Sequence, residues 1–116
     1  MTLKSEGKHT GEFIVSEANG YRSRDEVTVA SGENLVAGQV YMLVGGEAVA
    51  LEYDSDVGPA VSAAGIIYDN VDASAAAKQG TAIVRDAEVN LAKLTYTDQP
   101  QALVVADLLA LGIITR

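Results

Sequence analysis

The chain has 116 residues, 48% of them apolar, but with a single Phe, no Trp, 18 Ala and 14 Val, so one domain with a core of small side chains is expected. Its net charge of −8 argues against nucleic-acid binding, which rests on Lys and Arg contacts to phosphate. The absence of Cys rules out disulfides and thiolate chemistry, and no apolar run reaches the roughly 20 residues that cross a bilayer.

Residues 1–12 are polar and hold two Gly. They lack an apolar signal region, so manufacture without a cleaved secretory leader is expected. The next stretch, HTGEFIVSEANGYRSRD over 9–25, contains the only His (His9) and the only Phe (Phe13). Phe13, Ile14 and Val15 form a β-prone patch flanked by polar residues. A lone strand cannot satisfy its own N–H and C=O groups, so this patch needs an edge to pair with. The sequence reading gives that edge to a partner, with residues 1–25 an extended arm and 26–116 a compact body. The charge is −1 over residues 1–26 and −7 over 27–116, so the arm is near neutral and the body acidic.

Within the body, Val27-Thr28-Val29 reads as a strand ending in the Ser31-Gly32 turn. Val40–Val44 and Glu47–Tyr53, joined by Gly45-Gly46, give the strongest hairpin signal, because Gly accepts the positive φ of tight hairpin turns. Asp54–Pro59 is a loop, and Ser62–Tyr68 returns to strand character. The Ala-rich stretch 69–80 reads as one short helical turn before Gly80. Thr81–Val84 is a strand, Arg85–Glu88 a polar corner, and Val89–Tyr96 extended. A helix follows, with Asp98 as N-cap, Pro100 in the first turn and Gly112 as the stop. Ile113-Ile114 is a last strand. The fold class is thus mainly β with one or two short helices. Between Ala102 and Leu111 only Asp107 is polar. Such a helix is buried on more than one side, either under a sheet or against a second copy of the chain.

Catalytic constellations do not assemble. His9 lacks neighbouring ligands or a nucleophile, no Ser has an elbow signature, and Gly45-Gly46 lacks the Lys and Ser/Thr of a phosphate loop. Asp54 and Asp56 begin like a calcium loop but lack its remaining acidic positions, which leaves an acidic turn. No metal, cofactor or enzymatic activity is expected. Arg22 and Arg24 frame Ser23 after the Asn19-Gly20 turn. Two readings stand for them: a solvated hinge pairing locally with Asp25 or Glu26, or bidentate contact with a partner's carboxylate. Arg85, Asp86 and Glu88 can form an ion pair at a corner, or fix docking register if buried between subunits.

The ordered blocks HTGEFIVSEANGYRSRD (9–25), Ala63–Ile66 with Val71-Asp72-Ala73, Val84–Asn90 and Leu109–Arg116 together resemble the lambda-type head decoration proteins of tailed bacteriophages, over residues 9–116. The resemblance implies a β-clip-like body and a homotrimer. It implies a place outside the expanded capsid, at three-fold positions, where the protein cements the shell against DNA pressure. It also implies an arm that orders on the major capsid protein. Capsid contacts are then expected at Gly11, Glu12, Phe13, Ile14, Val15, Ser16, Glu17, Ala18, Asn19, Gly20, Arg22 and Arg24. Trimer contacts are expected at Arg85, Asp86, Glu88, Val104 and Leu108. The protein would be made in the host cytoplasm and end on the virion surface, with no contact to nucleic acid or membrane. The alternative is a virion surface module binding a host glycan or peptide, which would need clustered aromatics where this chain has five scattered Tyr.

Overall fold

The Gly45-Gly46 pair turns the chain back on itself with φ of +60° and +86°. It closes the antiparallel hairpin of β4 (Val40–Val44) and β5 (Glu47–Ala50). The computed structural model describes residues 13–17, 23–51, 63–96 and 101–116. The strands before the hairpin are β1 (Ile14–Glu17), β2 (Arg24–Val29) and β3 (Asn34–Leu35). After it come β6 (Gly65–Ile67), β7 (Val71–Asp72), β8 (Lys78–Ile83) and β9 (Ala87–Val89). A 3₁₀ turn at Leu91–Lys93, helix α1 (Gln101–Ala110) and β10 (Ile113–Thr115) complete the chain.

Five strands close a barrel in the order β2-β5-β4-β6-β8, with β8 returning to β2 through six antiparallel pairs from Arg24↔Ile83 to Val29↔Lys78. A three-stranded sheet, β1-β9-β10, stands beside it, and β3 and β7 form a two-stranded ribbon. This is the mainly β fold with one helix that the sequence implies.

At Val40-Tyr41, Ile66-Ile67 and Ala82-Ile83 the barrel strands β4, β6 and β8 are buried on both faces, because their side chains alternate between two cores. Val40, Ile66 and Ile83 lie opposite one another across β4, β6 and β8. They join Phe13, Val89, Val104, Leu108 and Ile113 in the larger core. The next residues along, Tyr41, Ile67 and Ala82, face the smaller core with Val29, Leu35 and Val71. Tyr41 sits opposite Gly65, where a Cβ would lie 2.7 Å from the Ile83 carbonyl and 2.9 Å from the Tyr41 hydroxyl.

Two local expectations are corrected. The stretch 69–80 holds no helical turn: its alanines form a bend between β7, which pairs with β3, and β8, which pairs with β2, so long-range pairing on both sides outweighs the weak helical preference of Ala. Val89–Tyr96 is not extended throughout: Asn90 caps the 3₁₀ turn through its side chain to the Ala92 N–H at 3.1 Å. Helix α1 buries only Val104 and Leu108 fully, while Leu103 and Leu109 face outward.

Candidate functional site

The stretch expected to lie on a foreign chain meets its own subunit first. Phe13 is 1% exposed in the larger core, and its carbonyl accepts the Asn90 N–H at 2.8 Å. Strand β1 then runs antiparallel to β9, pairing Ile14 with Val89, Ser16 with Glu88 and Glu17 with Ala87. The expectation that the Phe13–Val15 patch lacks an edge in its own fold is therefore corrected. The edge is β9, and burial of Phe13 draws the segment there. Phe13 is core rather than a surface contact. Strand β1 is nonetheless the outer strand of its sheet, paired only with β9 among the described residues. The register shifts between Ile14 and Ser16, and Val15 stands 57% exposed at that irregularity.

The outward face of this sheet carries a three-strand polar ladder centred on Glu88. Its flanking residues, Ala87 and Val89, point into the core, so alternation turns Glu88 outward. Ser16 Oγ on β1 donates to Glu88 Oε2 at 2.7 Å. Arg116, beyond β10, donates Nε to Glu88 Oε1 at 2.7 Å and adds a second bond through Nη2. The Ser16 hydrogen bond first, then the Arg116 bonds and charge, hold the Glu88 carboxyl below its usual range. Ile114, paired with Glu88 in register, adds an exposed apolar side chain to the same face.

A second polar region lies where β2 enters the barrel. Arg85 Nη2 contacts Asp25 Oδ2 at 2.7 Å, a surface pair worth about 0–1 kcal/mol. The Arg24 guanidinium lies 4.1 Å from the centre of the Tyr68 ring. Arg85 and Glu88 thus take their partners from separate elements of their own subunit. Asp86 occupies the corner with φ +50°, beside Gly112, whose φ of +86° ends α1. An open groove of about 700 Å³ runs past the Asp25–Arg85 pair, lined also by Tyr41, Leu43, Val84 and Leu111.

The expected trimer contacts at Val104 and Leu108 are also corrected. Both are 0% exposed within a single subunit, so neither can touch a second copy without leaving its core. The outward side of α1 instead carries Ala102, Leu103, Ala106, Leu109 and Ala110, all exposed and none charged.

Several candidates lie outside the described residues: His9, Gly11, Glu12, Ala18, Asn19, Gly20, Arg22, the 54–59 loop, Asp98 and Pro100. Among the described residues no group of three or more His, Asp or Glu gathers as a metal site. Sequence reasoning missed Arg116, Ile114, Leu103 and Leu109. Period-two alternation along Ile113–Arg116 would have placed Ile114 and Arg116 on one face, and helical spacing would have set Leu103 and Leu109 apart from Val104 and Leu108.

Neither a curated protein nor a solved structure matches the chain. A family model does: that of the bacteriophage lambda head decoration protein D, which matches residues 3–113.

Proposed function

Since the chain belongs to the bacteriophage lambda head decoration protein family, we propose that it acts as a structural cement, seated as a homotrimer at three-fold and quasi-three-fold positions of the expanded capsid. Family membership makes it a capsid-associated structural protein of the virion exterior. Its proposed task is to lock neighbouring capsid subunits together against the pressure of packaged DNA, without catalysis.

The match over nearly the whole chain carries this reading, and the side of β1 that no described strand pairs with supplies a means. An extended segment of the major capsid protein can add to that side, gaining main-chain hydrogen bonds while the exposed Val15 offers apolar contact. Of the expected contacts, Ile14, Val15, Ser16 and Glu17 lie on this strand. Gly11, Glu12, Ala18, Asn19, Gly20 and Arg22 flank it in sequence and remain candidate contacts. The apolar outward side of α1 is the proposed surface between subunits, in place of Val104 and Leu108. Three copies of one modest strand contact give a tight clasp, because each contact raises the effective concentration of the next.

Electron microscopy of expanded capsids, with and without added protein, tests the reading. The expected result is added density at the three-fold positions, with capsids that survive higher temperature or chelator. Capsids that stay bare, or that gain density without added resistance, overturn it.

A further inference from the structure

Strand β1 is a weakly secured element. It has four residues, its pairing with β9 is broken by the shift at Val15, and no other described strand pairs with its far side. Main-chain bonds alone hold such a short edge strand poorly. Phe13 anchors its beginning in the core. Its second anchor comes immediately after the irregularity, where Ser16 Oγ meets Glu88 Oε2 at 2.7 Å. Glu88 is itself steadied from the other side by Arg116, so one carboxylate on the central strand ties both of its neighbours. These contacts lie on the face turned away from Ala87, Val89 and Ile113. They therefore add nothing to core packing and act on the placement of β1.

We propose that Glu88 is the positioning residue of the capsid-binding edge: gripping Ser16 and Arg116, it holds β1 straight and in register before a strand of the capsid protein is added. The inference rests on the decoration reading above and assigns that site an internal support. A strand already fixed when the partner arrives spends less conformational entropy on binding than one ordered by the encounter. Glu88 thereby influences capsid affinity without touching the capsid.

The full-length chain carrying Glu88→Ala, Glu88→Gln or Ser16→Ala tests this with two readouts. Amide hydrogen exchange reports the order of residues 14–17, and titration of expanded capsids reports affinity. All three substitutions fall on the outward face, so the thermal midpoint should stay near that of the parent. Glu88→Ala and Ser16→Ala should speed exchange in β1 severalfold and weaken capsid affinity about three- to tenfold, the effect of one net hydrogen bond. Glu88→Gln keeps a neutral acceptor for Ser16 and should fall between parent and Glu88→Ala. A purely structural role would lower the melting temperature without this graded order. Unchanged exchange in Glu88→Ala and Ser16→Ala overturns the positioning role, as does faster exchange with unaltered affinity. A parent chain that fails to bind expanded capsids overturns the decoration reading instead, while the exchange readout still decides whether Glu88 secures β1.

Discussion

Tyr41 shows how a single residue ties the packing to solution behaviour. Its ring is 2% exposed, and it faces Gly65 because any larger residue there would collide with the ring and with the Ile83 carbonyl. Burial, and secondarily the negative charge of Asp25, push the phenol up to about 12. The folded chain therefore keeps this proton above the pH at which an unfolded Tyr, near 10, gives it up. The associated stability is complete below about pH 10 and drains away as pH rises towards 12. The urea midpoint should fall across that interval in the parent chain, and much less in Tyr41→Phe. A phenolate absorbance titration in which every Tyr ionises near 10 while the chain stays folded would contradict this. At the same scale, the outward direction of Glu88 was legible from its apolar neighbours. Its partners were not, because Ser16 and Arg116 lie 72 and 28 residues away and only the folded sheet brings them together.

Elements announced by local chemistry were the ones the sequence revealed. Gly45-Gly46 marked the hairpin, Gly112 marked the end of α1, and the apolar run before it marked the helix. The partner of β1 and the strands within 69–80 were not legible, because what decides them is distant in sequence: β9 for the first, β3 for β7 and β2 for β8. The helix also shows what composition hides. Its apolar residues read as buried on more than one side, under a sheet or against a second copy, and within one subunit Leu103 is 48% and Leu109 62% exposed. If that side meets another subunit, Leu109→Asp should leave the circular-dichroism spectrum and melting transition of the subunit intact. Sedimentation should then shift from trimer to monomer at micromolar concentration. A trimer that persists in this variant would move the subunit contact elsewhere on the surface. Asp107, the one polar residue in the middle of α1, faces inward enough to accept the Ala63 N–H at 2.9 Å, which fastens the helix to the approach to β6.

At the scale of the whole molecule, two cores share their walls. Strands β4, β6 and β8 send neighbouring residues to opposite sides, Val40 and Tyr41, Ile66 and Ile67, Ile83 and Ala82. Neither core can empty while the other stays packed, so loss of structure should be all-or-none. Tyr fluorescence of a chain that keeps Tyr41 as its sole Tyr, the other four changed to Phe, reports the smaller core and should therefore follow the same urea curve as far-ultraviolet circular dichroism, which reports the entire backbone. Two separated midpoints would show that the cores melt independently. A thin core of Ala and Val was visible in the composition, but its division in two was not, because only strand register reveals which face each residue takes.

The row of Val40, Ile66 and Ile83, three side chains abreast on adjoining strands with no exposure to water, sets a condition on how this lineage can drift. Close-packed interiors tolerate a swap best when total volume is kept. A descendant that gains a methylene at one of these three places should shed one at another, so change along the row should come in matched pairs and not one residue at a time.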